Sequence, residues 1–275
     1  MLYTQEAAAD MSDSPDSRGV SLRNLWKTSE TSIRLVSLMS EGEWRGTPGG
    51  IMSKASVRVV AMMLTVLAGA VACRAGNGAS AAVPVPLTNE VKATAPGKET
   101  AVVAGGCFWG IQAVFQHVKG VVSATSGYSG GTVKNPDYGA VSSGETGHAE
   151  SVQIVYDPSQ VTYGELLRVF FSVALDPTEL NRQGPDEGTQ YRSVIFYGND
   201  EQKHIAEAYI AQLNQAKVFS KAIATQVVPL QAFYPAEGYH QNYATVHPND
   251  PYIVYNDAPK VANLRKEFPD LYSGK

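Results

Sequence analysis

The stretch "VVAGGCFWGIQAVF", Val102 to Phe115, decides how the rest of the chain is read. A short apolar run meets Gly105-Gly106, and beyond Cys107 the residues Phe108, Ile111, Phe115 and Val118 recur at helical spacing. The pattern predicts a strand, a glycine turn and a helix, with the cysteine at the join. A helix mouth offers unpaired backbone N–H groups and the positive end of its dipole, so it favours an anion. For a thiol, the expectation is a lowered pKa and more thiolate near neutral pH. Glycines leave the sulfur uncrowded, and Phe108 and Trp109 supply an aromatic surface beside it. A lone cysteine is more often a structural residue, so position alone leaves the two readings about level.

Downstream, Val121 to Thr125 is β-branched and strand-like. The segment "SGYSGGTVKNPDYGAVSSGETG", Ser126 to Gly147, is full of Gly, Ser, Asn and Pro and reads as a long loop. Loops of that length inside a domain are usually functional or disordered. In "ESVQIVYDP" the residues Val152, Ile154 and Tyr156 alternate as in a strand. Thr162 with Glu165 forms a capping box before a helix lined by Tyr163, Leu166, Leu167, Phe170 and Phe171. "QYRSVIFYGND" is a strand and turn, Asn199 with Gln202 caps a helix carrying Ile205, Tyr209 and Leu213, and "AIATQVVPL" is a last strand. The order β-α-β-β-α-β-α-β predicts an α+β fold. Its first six elements match a ferredoxin-like (split βαβ) two-layer plait with helices on one face, followed by a C-terminal extension.

The chain has 275 residues, 44% of them hydrophobic, and a formal charge of −4. That composition is ordinarily globular and lacks the basic stripe that nucleic acid demands. Two cysteines cannot make a disulfide scaffold, and the five histidines (His117, His148, His204, His240, His247) show no metal-ligand spacing. Neither a metal site nor a bound cofactor is expected.

The first part of the chain reads differently. Residues 1–51 carry no sustained periodicity and are expected to be a gene-model extension or disordered. Met52 begins a segment with a basic start at Lys54 and Arg58, an apolar run from Val59 to Ala72, and the ending "AVAC" at Cys73. The run is too short to span a bilayer but suits a signal peptide, 52–73. "AVAC" resembles the lipobox of bacterial lipoproteins, which implies lipidation of Cys73; Ala70 stands where leucine is usual. Residues 74–97, small, polar and Pro-containing, read as a flexible tether before a catalytic domain over 98–275. The expectation is an exported, membrane-anchored lipoprotein facing the periplasm or outside, with a soluble periplasmic protein as the alternative.

From about Val102 to Tyr255 the chain resembles the A-type peptide methionine sulfoxide reductases. The resemblance rests on "GGCFWG" at 105–110, "GYSGG" with "NPDY" at 127–138, "SGETGHAE" at 143–150, "DPT" at 176–178, "GTQYRS" at 188–193 and "AEGYHQNY" at 236–243. It implies reduction of methionine S-sulfoxide, free or peptide-bound, to methionine, one enzyme type per sulfoxide epimer. By resemblance Cys107 is the nucleophile and ends as a sulfenic acid. Glu150 matches the acid that protonates the sulfoxide oxygen, which calls for a raised pKa through burial. Tyr138 and Tyr191 match hydroxyls that hold that oxygen, Asp186 an aspartate lining the site, and Phe108 and Trp109 the pocket for the substrate methyl. His240 has no chemical step to serve and is read as a structural hydrogen-bonding group.

Many relatives carry further cysteines near the C-terminus that resolve the sulfenic acid; nothing after Cys107 is a cysteine here. The resemblance therefore implies the single-cysteine variety, recycled by an external thiol such as thioredoxin, glutaredoxin with glutathione, or a periplasmic carrier. Expected partners are oxidised proteins, free methionine sulfoxide and that reductant, with the protein itself a monomer. Leu175 also departs from the family, standing where many relatives have His before Asp-Pro-Thr. The competing readings are a non-catalytic lipoprotein that binds methionine-sulfoxide peptides, or another cysteine enzyme such as a thiol peroxidase or hydrolase.

Overall fold

The structure, a computed structural model, describes residues 82–274. The readings placed on residues 1–51, on the signal-like segment ending at Cys73, and on the start of the tether lie outside the described residues. Among the described residues no helix is long and apolar enough to cross a membrane.

The predicted first strand, β1 (Glu99–Ala104), lies inside a six-stranded sheet. It pairs antiparallel on one side with β3 (Ala149–Tyr156) and on the other with β6 (Val194–Tyr197). Beyond β3 come β2 (Val121–Ser129) and β8 (Phe233–Pro235), both antiparallel to their neighbours. Beyond β6 lies β7 (Gln226–Pro229), the one parallel pairing in this sheet. The order is β7-β6-β1-β3-β2-β8, with a separate ribbon of β4 (Arg182–Gln183) and β5 (Asp186–Glu187).

Alternation along β1 separates two apolar layers. Ala101 and Val103 join the main core with Ile111 and Phe115 of α1 (Phe108–Gln116), Leu166 and Leu167 of α3 (Tyr163–Val169), and Ile205 and Tyr209 of α4 (Asp200–Gln215). Val102 and Ala104 point the other way, into a small cluster with Ala149, Val194 and Phe196. The architecture is α+β.

All eight predicted elements form, but the loop read across 126–147 does not stay a loop. β2 runs on to Ser129, because Gly127 lets β8 close on it: a Cβ there would lie 2.4 Å from the Tyr234 carbonyl oxygen. Inside the same stretch, α2 (Tyr138–Ser142) is capped by Asp137, whose carboxylate accepts from Ala140 N–H at 2.8 Å. Polar composition hid both, since neither is built on an apolar stripe. In the extension, α5 (Tyr243–Val246), a π-helical turn (Ile253–Asp257) and α6 (Ala258–Glu267) pack back toward α1.

The stretch read as a tether is fastened from Val83 onward. Arg168 donates to Val83 O (3.0 Å), Tyr209 to Pro84 O (2.6 Å), and the Gln212 amide brackets Val85 O and Leu87 N–H. Asn89 then accepts from Gly164 N–H at 3.0 Å and donates to Thr162 Oγ1 at 2.8 Å. Sequence reading missed this because most of the contacts are polar and reach far along the chain, with Val83 alone of this stretch buried in the main core.

The predicted capping box is present: Thr162 Oγ1 accepts from Glu165 N–H, and Glu165 Oε2 accepts from Thr162 N–H at 2.9 Å. Thr162→Ala removes this cap and the Asn89 bond together. It should lower unfolding stability by about 1–2 kcal/mol, measurable by urea titration, with sulfur chemistry at Cys107 unaffected.

Candidate active site

Cys107 is the N-cap of α1, and its backbone (φ −54°, ψ 124°) is what turns the chain from strand to helix. Two glycines make room for that turn. Gly106 has φ +93°, and a Cβ there would come within 2.6 Å of Gln183. A Cβ on Gly105 would lie 2.9 Å from Leu175 Cδ1, so Leu175, the departure noted above, packs directly on the turn. The buried Gln183 amide brackets Asp176, accepting from its N–H (2.6 Å) and donating to its carbonyl (3.0 Å).

The Cys107 side chain is buried, 8% exposed. Its pKa moves opposite to the helix-mouth expectation: burial pushes the thiol up, and the nearby Glu150 and Asp257 carboxyls push it further. The backbone N–H of Trp109 and the Lys260 ammonium oppose this and are outweighed. The expected low-pKa thiolate is therefore corrected to a thiol whose pKa is raised and which stays neutral near pH 7. A short helix's dipole is a surface-strength effect, whereas full desolvation of an anion is far larger.

Glu150 lies on β3, 2% exposed, and its Oε2 accepts from Phe108 N–H at 3.0 Å. Burial pushes this carboxyl up to about 8, against the lowering effect of that one hydrogen bond. It is thus largely protonated at neutral pH, beside the thiol and, among the described residues, with no cation within hydrogen-bond reach.

Tyr138 opens α2, and Tyr191 ends a 3-10 turn (Thr189–Tyr191). Both are half-buried, and burial raises both phenols, so each remains a hydroxyl donor. Their elements are joined by the Gln190 amide, which donates to Ser142 O at 3.2 Å. The long segment behind Tyr138 is pinned by His148, whose Nδ1 accepts from Gly131 N–H while Nε2 donates to Val133 O. Asp186 sits on β5, and its Oδ2 accepts from the Tyr252 hydroxyl.

On the apolar side, Phe108 is 1% exposed, packed against Tyr128 and His240 with centroids 5.9 and 5.0 Å away. Trp109 keeps an accessible part, stacked on Tyr243 at 3.7 Å and met edge-on by Tyr252 at 5.9 Å. The expected structural role of His240 is seen: its Nδ1 accepts from the Trp109 indole N–H at 3.3 Å.

Sequence reading missed Glu237, Tyr252 and Asp257. Tyr252 and Asp257 have no local signal. Glu237 stands inside the quoted "AEGYHQNY", and its neighbour His240 could have drawn attention to it. Asp257 is fully buried, with Oδ1 3.0 Å from Lys260 Nζ. No group of three His, Cys, Asp or Glu side chains arranged for a metal ion occurs among the described residues.

A buried thiol, an un-ionised carboxylic acid beside it, two phenols and an aromatic wall suit reduction of a small group that has an apolar arm and a basic oxygen. The class is a thiol-based oxidoreductase acting on sulfur. The chain belongs to the peptide methionine sulfoxide reductase family, whose model matches residues 99–272. Among similar proteins, peptide methionine sulfoxide reductase MsrA 2 of Mesorhizobium japonicum is 62% identical over 181 residues, 66% of this chain and 93% of the relative. The MsrA of Sulfolobus acidocaldarius is 53% identical over 175 residues, covering 64% and 98%. The crystal structure of reduced Mxr1 from Saccharomyces cerevisiae aligns with TM-score 0.52 at 32% identity, covering 60% of this chain and 92% of that one. The protein is a methionine sulfoxide reductase, an oxidoreductase of oxidative-damage repair, and the binding-lipoprotein alternative finds no support.

Gly110 marks how tightly the site is closed: a Cβ there would lie 2.1 Å from Asp257 Oδ1 and 2.8 Å from Lys260 Nζ. Gly110→Ala should expel that ion pair, with a loss of thermal stability and a changed alkylation rate at Cys107. Read as the proton donor, Glu150 predicts the pH profile of the first turnover. The acid form dominates below about 8 and is lost above it, so the single-turnover rate should fall about tenfold per pH unit well above 8. Glu150→Gln should flatten that limb while lowering the rate throughout, as stopped-flow measurements would read.

Proposed function

We propose that Cys107, Glu150, Tyr138, Tyr191 and Asp186 carry the reduction of methionine S-sulfoxide, with Phe108 and Trp109 receiving the substrate methyl. The observation that carries this reading is the un-ionised Glu150 carboxyl, buried and hydrogen-bonded to the residue after Cys107. A sulfoxide oxygen leaves sulfur only once protonated, and an acid poised near 8 can donate at neutral pH.

In the first half-reaction the Cys107 sulfur attacks the substrate sulfur as Glu150 gives its proton to the sulfoxide oxygen. The thiol proton passes to the Glu150 carboxylate and restores the acid. The hydroxyl group on the substrate sulfur then passes to the Cys107 sulfur: the substrate S–O bond breaks and a new S–O bond forms at Cys107. The S–S bond just made cleaves with its electron pair left on the substrate sulfur, so methionine leaves and Cys107 remains as a sulfenic acid. Sulfur in the substrate is reduced by two electrons and Cys107 is oxidised by two. Tyr138 and Tyr191 hold the oxygen as its charge develops. In the second half-reaction an external thiol displaces water from the sulfenic acid to give a mixed disulfide. A second thiol then releases Cys107 as the free thiol and leaves with the first as a disulfide. Thioredoxin or a similar carrier fits this demand, since no second cysteine lies within the catalytic region.

The strand order β6-β1-β3-β2, all antiparallel, supports reading the core as a ferredoxin-like plait. Export as a lipoprotein anchored at Cys73 is supported by the basic start, the apolar run and "AVAC". Cys73→Ser should abolish incorporation of labelled palmitate in a bacterial host.

The reading is tested on the full chain in a single turnover without reductant, each sulfoxide epimer supplied separately. One methionine per chain from the S epimer is expected, with Cys107 trapped as sulfenic acid by dimedone and Cys107→Ser silent. A protein whose Cys107 alkylates normally yet releases no methionine would overturn it.

A further inference from the structure

The carboxylate of Glu237 touches both sides of the pocket and has no step in the reaction. Its Oε1 accepts from Tyr138 N–H at 2.8 Å, at the start of the five-residue α2. Its Oε2 accepts from the Tyr128 hydroxyl at 2.9 Å and lies 3.9 Å from His240 Nε2. The other ring nitrogen of His240 accepts from the Trp109 indole N–H, so the neutral ring carries its proton on Nε2, facing Glu237. Among the described residues that buried Nε2 makes no hydrogen bond, so Glu237 faces it as a charge 3.9 Å away. The His240 ring fills the space between the two walls, its centroid 4.4 Å from Tyr138 and 5.0 Å from Phe108.

The charge states agree with this arrangement. Partial burial pushes Glu237 upward. The N–H groups of its own backbone and of Tyr138, with the Tyr128 hydroxyl, more than offset that and keep it an anion. Burial lowers His240, which stays neutral near pH 7.

A sulfoxide sulfur is pyramidal, carrying an oxygen, a methyl, the rest of the side chain and a lone pair. With the side chain and the line of attack fixed, exchanging epimers exchanges oxygen and methyl. A hydroxyl wall and an apolar wall tell the epimers apart only while each is held fixed relative to the other. Here α2 and the first turn of α1 belong to different segments. A short chain of contacts runs from Tyr138 through Glu237 and His240 to Trp109.

We propose that Glu237 is a positioning and specificity-determining residue: it locks the oxygen-holding wall at Tyr138 to the methyl wall at Trp109, and so sets the preference between sulfoxide epimers. The inference rests on the roles given to Tyr138 and Trp109 under Proposed function. Its simplest rival is that Glu237 merely caps α2, in which case stability alone would respond.

The test is Glu237→Gln in the full chain, assayed in single turnovers with each epimer of N-acetylmethionine sulfoxide. The amide still accepts from Tyr138 N–H but turns a donor toward Tyr128 and His240. The S-epimer rate constant should fall about tenfold or more, as a shift of the wall by a fraction of an ångström implies. The S-to-R preference should fall by a similar factor, while iodoacetamide alkylation of Cys107 stays at the wild-type rate. An unchanged S-to-R preference in a folded Glu237→Gln protein overturns the proposal. Should that variant fail to fold, Glu237→Asp, which keeps the charge but withdraws it by one methylene, must shift the preference in the same direction. A wild-type protein inactive on both epimers would remove the functional reading and this inference with it. A selective wild type with equally selective variants would remove the inference alone.

Discussion

The site depends on keeping a carboxyl group dry. Glu150 is the second residue of β3, paired with Tyr128 of β2 and one place before Ser151, where the pairing with β1 begins at Ala104. Among the described residues the one hydrogen-bond partner of the Glu150 carboxyl is the backbone N–H of Phe108. An ionised carboxylate so placed would need several donors or a cation to offset its lost hydration, and neither is at hand. The group therefore keeps its proton, and the same dryness keeps the neighbouring thiol neutral. Two weak acids that would each ionise more readily in water are held un-ionised side by side. The thiol becomes a strong nucleophile only when something arrives to take up a proton, and a sulfoxide oxygen can do that.

This arrangement has a consequence for an enzyme with one cysteine in its catalytic region. A thiolate standing open at a helix mouth would react with peroxide and disulfides indiscriminately, since reactivity follows thiolate character and exposure. Cys107 is shielded on both counts, buried and with its pKa pushed up. The external reducing thiol proposed above would have to bring its own nucleophilicity and enter a pocket walled by Trp109, Tyr243 and Tyr252. The segment near the C-terminus, where the resemblance pointed to recycling cysteines in many relatives, here supplies aromatic faces and the Asp257–Lys260 pair.

How much of this could be read from the residues depended on the range of the interaction. The strand-turn-helix around Cys107, the capping box at Thr162 and the alternation in β3 are local patterns, and all three form as read. The thiol's charge state is not local. The helix mouth still acts on the thiol through Trp109 N–H, but burial outweighs it, and the carboxyls that add to the reversal come from β3 and from Asp257 in the C-terminal segment. Loop composition misled for a related reason: α2 and the end of β2 are stabilised by a cap, a glycine-permitted pairing and His148, none of which leaves an apolar period. Likewise, Asn89 and Glu90 look like tether residues until Gly164 and Tyr163 are seen across from them.

The C-terminal extension is what converts a reactive cysteine on a common scaffold into a shaped pocket. Helix α1 alone would present Trp109 as an exposed indole free to rotate about its side-chain bonds. Its plane is instead set from three directions: stacking on Tyr243, the edge of Tyr252 and the hydrogen bond to His240. Asp186 is likewise held by Tyr252, so a residue from the β4–β5 ribbon and one from the extension share a proton-bearing contact. The extension in turn is fixed to α1 because Gly110 admits the Asp257–Lys260 pair where any side chain would exclude it. Geometry at the reacting sulfur is thus decided by residues more than 120 positions away in the chain, and the glycine closing "GGCFWG" is as necessary to the pocket as the cysteine within it.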